Sequence, residues 1–203
     1  MRVAILGGTG PFGRGLAARL ASSGHNVTIG SRSEERAAKT AAELGVQGAA
    51  NESAARSAEL VVLAVDADAA LATASDLGGD LQVPLLSVAS QLSFVDGAAR
   101  PREHGSLAEE LAAIVDVPVV AGLHSLGARK LAAEPPQEDA LVCGDDPEAK
   151  KLALALAADV VAGRAIDCGP LASARALEAM TAVLLNVNRR YKAHAGVRLT
   201  GLP

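Results

Sequence analysis

Near the start of this chain, four apolar residues run straight into a glycine cluster: Val3-Ala4-Ile5-Leu6-Gly7-Gly8-Thr9-Gly10-Pro11-Phe12-Gly13. The apolar run suits a short buried strand, and the glycines suit a tight turn that opens a helix. Gly8, Gly10 and Gly13 have the G-x-G-x-x-G spacing of a dinucleotide site. One glycine permits the turn, one lets backbone approach a pyrophosphate, and one lets helix pack on strand. Amide groups at the opening of that helix favour a negative ligand. The alternative reading is a glycine-rich turn that holds nothing.

A crossover helix follows, with Leu16, Ala17 and Leu20 on one face, and then a second strand at Val27 to Ile29. An NAD site usually carries Asp or Glu at the end of this strand, to hold the ribose hydroxyls. Here Ser31 and Arg32 stand there instead, with Arg36 one helical turn later. Arginine offers a planar fork of donors, so Ser31, Arg32 and Arg36 form a candidate clamp for a 2′-phosphate, which predicts NADP rather than NAD. Ser33 reads as the cap of the next helix. Without a ligand, the same segment is a charged helix start in solvent.

Strands and helices then alternate. Val46 to Ala50, Leu60 to Val65, Pro84 to Val88 and Val117 to Leu123 read as strands, and Asn51 onward, Ala69 to Leu77 and Ser106 to Val115 as helices. This is the pattern of an α/β, doubly wound parallel sheet. Asp66 reads as a helix cap, and Ala89 to Glu103 as loop. Glu134 to Asp139 reads as a surface loop, and Gly144-Asp145-Asp146-Pro147 as a turn and cap. A strand at Ala140 to Cys143, a helix from Pro147 and a strand near Arg164 to Asp167 lead to a long last helix. In that helix Leu177, Met180, Leu184, Val187 and Tyr191 recur at helical steps, predicting one buried face.

Half of the 203 residues are apolar, but Phe12, Phe94 and Tyr191 are the only aromatics, so the core must be aliphatic. A net charge of −4 and the lack of stacking rings argue against nucleic acid and acidic membrane as partners. No stretch reaches transmembrane length, and the apolar run near Met1 is too short for a signal peptide. Cys143 and Cys168 belong to no C-x-x-C pair and read as buried free thiols in a reducing, cytoplasmic setting.

Several kinds of chemistry have no groups to carry them. The sole tyrosine, Tyr191, lacks the lysine four residues on that carbonyl reduction uses, since Ala195 stands there. No metal-ligand spacing, serine triad or Walker lysine is present, and no residue is assigned as catalytic or metal-binding. An NADP protein without acid–base apparatus suits hydride transfer between two ring systems, which needs alignment and dryness more than a protein acid. His124-Ser125-Leu126-Gly127-Ala128 follows the last strand of the series, at the expected ligand edge. The basic segment Asn186 to Arg198, with Arg189, Arg190, Lys192, His194 and Arg198 and no acid, reads either as charge matched to a helix C-terminus or as a site for an acidic tail.

Taken together, the chain resembles the NADPH-dependent coenzyme F420 reductases, also called F420-dependent NADP oxidoreductases. The resemblance rests on Gly7 to Gly13, on Gly30-Ser31-Arg32 with Arg36, on His124 to Ala128, on Cys143 to Asp146, and on Asn188 to Gly196. It implies a Rossmann NADP-binding domain over residues 1–125 and a small C-terminal α/β extension over 126–203, usually as a homodimer. It implies NADP along Gly8, Thr9, Gly10, Pro11, Phe12 and Gly13, with its phosphate at Ser31, Arg32 and Arg36. The deazaflavin F420, as substrate, stacks on the nicotinamide near His124, Leu126 and Ala128. The chain departs from the family at Asp66-Ala67, at Ala89-Ser90-Gln91 and at Gly127, all along the substrate crevice. These changes leave three readings open: hydride transfer between NADP(H) and F420, NADPH-dependent reduction of a flavin or small molecule, and a non-catalytic NADP sensor.

Overall fold

Strand β1 (Arg2–Leu6) alternates Val3 and Ile5 on one face with Ala4 and Leu6 on the other, and all four are buried. A strand covered on both faces needs helices on both sides. The computed structural model, which describes residues 1–202, supplies them in chain order. After β1 come α1 (Pro11–Ser22), β2 (Asn26–Ser31), α2 (Glu34–Leu44), β3 (Gln47–Ala50), α3 (Asn51–Ser57), β4 (Leu60–Leu63), α4 (Ala67–Leu77) and β5 (Leu85–Ser87). Then come β6 (Leu92–Val95), β7 (Ala98–Pro101), α5 (Leu107–Ala112), β8 (Val119–Gly122), α6 (Ala128–Leu131), β9 (Ala140–Gly144), α7 (Pro147–Val160), β10 (Ala165–Asp167) and α8 (Ala174–Tyr191).

Eight strands form one sheet in the order β10-β9-β8-β5-β4-β1-β2-β3. From β3 across to β8 every pair is parallel, as expected, but β9 runs antiparallel to β8. The sheet therefore continues past residue 125 without a break. One core layer joins Val3 and Ile5 to Leu16, Leu20, Ala37 and Leu156 of α1, α2 and α7. The opposite layer joins Ala4 and Leu6 to Ala54, Ala74, Leu111 and Leu177 of α3, α4, α5 and α8. The core is aliphatic, and Phe94 and Tyr191 lie exposed.

Four local readings are corrected. Ala89 to Glu103 is not all loop, because β6 and β7 pair antiparallel with Val95 opposite Ala98. Between them Asp96 (φ 50°) and Gly97 (φ 75°) make a two-residue turn with both φ values positive, matching the right-handed twist of a hairpin. Asp66 makes no side-chain capping bond, and α4 starts at Ala67, earlier than expected. Glu138 and Asp139 of the acidic loop are buried rather than exposed, because Lys130, Arg164 and the chain's last residues cover them. Tyr191 does not join the buried face of α8 and is 70% exposed. The caps at Ser33 and Asp146, by contrast, form as the sequence predicts.

Candidate functional site

Where an open sheet reverses its winding, the loops on either side diverge and leave a crevice. Here the reversal falls between β1 and β4. The turns after β1, β2 and β4 surround a cleft of about 390 Å³, lined by Thr9, Gly10, Pro11, Ser31, Arg32 and Arg36, among others. Six of the residues singled out in the sequence thus meet in one place.

The remaining turn residues support this cleft from behind. A Cβ on Gly8 would lie 2.8 Å from the Ile29 side chain, and one on Gly13 would lie 2.6 Å from the Gly7 carbonyl. Packing inside the protein therefore demands glycine at both positions. Gly10 differs, because a Cβ there would meet nothing closer than the Gly7 oxygen at 3.4 Å, an ordinary contact. The fold itself does not require glycine at this position, but a ligand lying against the backbone would. Phe12 is half-buried against the core.

The donor set suits a dinucleotide phosphate. Gly10 caps α1 with extended backbone and no side-chain bond, and no acid sits in the first turn. The first amide taken up within the helix is that of Arg14, which donates to the Gly10 carbonyl. The helix end thus keeps its amides and its positive dipole end for a ligand. Arg32 and Arg36 form no ion pair among the described residues. The Ser31 hydroxyl accepts from the Ser33 amide at 3.2 Å and keeps its own proton free to donate. Asn51, Asp66 and Thr73 also line the cleft. The Asn51 Oδ1 is buried without a partner, a further polar group unsatisfied by the protein. Sequence reading missed Asn51 and Thr73 as lining residues. Asn51 directly follows the third strand and opens α3, which was a usable signal, whereas Thr73 sits in an unremarkable helix.

His124, Leu126 and Ala128 do not line this cleft. They follow β8, which is parallel to β5, and so stand farther along the same sheet edge. Leu123 adopts φ +63°, a left-handed conformation that costs a non-glycine residue about 1 kcal/mol or more and turns the chain sharply before His124. The imidazole is only 7% exposed. Its Nδ1 lies 3.3 Å from the Ser90 Oγ, which is 2.8 Å from the Thr181 Oγ1. Thr181 in turn donates to the His124 carbonyl at 3.0 Å. The His124 Nε2, Ser125 Oγ and Gln91 Oε1 are buried without partners. Burial pushes His124 down to about 4, opposed by a hydrogen bond to the backbone of Val88, so the ring is neutral near pH 7. Ala128 opens α6. Thr181, reaching in from α8, carried no signal in the sequence.

Residues 2–91 match the model of the family described as NADP oxidoreductase, coenzyme F420-dependent. The F420-dependent NADP reductase of Methanothermobacter thermautotrophicus is 36% identical over 228 aligned residues, covering 100% of this chain and 96% of that protein. This chain belongs to the coenzyme F420-dependent NADP oxidoreductase family. A second F420-dependent NADP reductase, from Methanocaldococcus jannaschii, is also 36% identical, covering 100% of this chain and 99% of its own. Among solved structures, a candidate F420-dependent NADP reductase from Arthrobacter sp. superposes with TM-score 0.84 at 26% identity, covering 99% of this chain and 100% of that one. The fold of this F420-dependent NADP oxidoreductase family member extends further: an imine reductase from Streptomyces aurantiacus has TM-score 0.64 at 21% identity, covering 95% of this chain and 62% of that one.

Proposed function

We propose that this chain is an F420-dependent NADP oxidoreductase that moves a hydride between NADP(H) and the deazaflavin coenzyme F420. The observation that carries the reading is one cleft uniting the turn residues Thr9, Gly10 and Pro11 with Ser31, Arg32 and Arg36, in a chain similar over its full length to F420-dependent NADP reductases. When bound, the two cofactors supply the redox chemistry, a nicotinamide hydride on one side and a deazaflavin ring that accepts it on the other. The opening of α1 holds the pyrophosphate through backbone amides. Arg32 and Arg36 hold the 2′-phosphate, with Ser31 donating from its hydroxyl. His124, neutral at pH 7, positions the rings and delivers no proton. Leu126 and Ala128 complete the ring side, and residues 126–203 form the smaller functional unit on a sheet they share with residues 1–125.

The test is a mixture of coenzyme F420, NADPH and the protein. Loss of the deazaflavin's visible absorbance is the expected result. Loss with a flavin but not with F420 would replace the acceptor, and tight NADPH binding without turnover on either would make the chain a sensor. Asp66, which lines the cleft, and Ala67, which opens α4 next to it, give the flavin outcome its interest.

A homodimer belongs to the same reading. Pairing would withdraw from water the exposed apolar surface of Val183 (58% exposed) and Tyr191 on α8, and that of Phe94 on the hairpin that α8 holds. Light scattering should give twice the chain mass; a mass of one chain would remove the dimer. The free thiols Cys143 and Cys168 support a cytoplasmic setting.

A further inference from the structure

The hydrogen bonds around His124 leave little freedom in where its proton sits. The His124 carbonyl can only accept, so the Thr181 hydroxyl spends its one proton there. Thr181 Oγ1 must then accept from Ser90, 2.8 Å away. Ser90 has thereby spent its own proton, and towards His124 Nδ1, at 3.3 Å, it can only accept. Nδ1 therefore carries the hydrogen. A ring kept neutral by burial has no second proton, so Nε2 is left as a lone pair, buried and unpartnered.

We propose that Thr181 and Ser90 are positioning residues that hold His124 in its Nδ1-protonated tautomer, so that Nε2 can only accept a hydrogen bond from an N–H of the ring system bound beside it. The ligand half of this statement rests on the proposed function. The tautomer half rests on the chain's own hydrogen bonds. The device joins three distant parts of the chain: Ser90 after β5, His124 after β8 and Thr181 on α8. It selects a ring that presents a donor, such as a carboxamide or an imide N–H, over one that presents only carbonyl oxygens.

Nitrogen NMR of the ¹⁵N-labelled full-length protein reads the tautomer directly, with the His124 signal assigned by its loss in His124→Gln. The wild type should show a protonated Nδ1 and a bare Nε2. In Thr181→Val the Ser90 hydroxyl loses its acceptor and turns its proton to Nδ1. The ring should then shift to the Nε2-protonated form, and KM for F420 should rise about tenfold while the dissociation constant for NADPH holds. Thr181→Ser should restore both the wild-type tautomer and KM, which a purely structural role for the Thr methyl would not. An Nε2-protonated ring in the wild type, or an unchanged tautomer in Thr181→Val, overturns the proposal. The wild-type spectrum alone decides the tautomer even if the valine variant does not fold. If the tautomer is as stated but F420 is not turned over, the ligand half falls with the proposed function and the positioning half stands.

Discussion

Arg32→Ala lowers NADPH affinity about a hundredfold and leaves NADH affinity within about threefold. The two cofactors differ only by the 2′-phosphate, so a residue that holds this group distinguishes them and one that merely shapes the cleft does not. Arg32 and Arg36 line the cleft with no acid bound to either among the described residues, so their charge is available to a ligand. A forked, charge-assisted contact contributes about 1.5–3 kcal/mol, and about 2.7 kcal/mol corresponds to the hundredfold. Arg32→Lys should recover part of the loss, because it restores the charge but not the fork. Fluorescence titration with each nucleotide measures both effects. Equal weakening of NADH and NADPH by Arg32→Ala would mean that the phosphate lies elsewhere.

Asp139→Ala lowers the melting temperature by about 8 °C at neutral pH. Its two carboxylate oxygens accept from the Arg164 amide at 3.0 Å, the Arg164 Nη2 at 2.9 Å and the Leu199 amide at 2.8 Å. The Asp139 amide donates to the Val197 carbonyl, so one residue ties the last residues of the chain to the β10 side of the sheet. Removing the carboxylate strands two backbone amides and an arginine, and unmade bonds of this kind cost more than made ones contribute. The arginine is 38% exposed and can turn to water, which limits the loss. The Arg164 guanidinium, helped by the two backbone amides, holds the Asp139 carboxyl well below its ordinary value of 3.8. In the unfolded chain the group takes up its proton at that ordinary value. The stability it contributes is therefore present above pH 3.8 and is lost progressively as pH falls toward the depressed folded value. Melts at pH 7 and pH 3 should accordingly show a narrower gap between wild type and Asp139→Ala at pH 3. A gap that does not narrow would mean that the carboxylate's charge is not what holds the tail.

Much of the cofactor side could be read from the sequence because its signals are local. A buried strand, a turn and a helix start within residues 2–13 are dictated by neighbours in the chain. Arg32 falls where strand β2 hands over to its helix, so its address in the fold follows from its address in the sequence. The parallel sheet follows from the alternation of strands and helices in the same way. The hairpin is also written locally, in Asp96-Gly97 between two short runs, but those runs are neither long nor apolar enough to give a clear strand signal.

What tertiary structure alone decided is which polar groups end up together and which are buried. Thr181 and Ser90 lie 91 residues apart and meet only because α8 brings Thr181 against the segments that follow β5 and β8. Asp139 belongs by composition to a solvated loop, and it is buried because Arg164 and the amide of Leu199 satisfy its oxygens from afar. The aliphatic periodicity of one segment fixes its own helix or strand and the face it must bury. The pairing of hydroxyls, carboxylates and imidazoles is a property of two or three segments at once, and no single stretch of sequence encodes it.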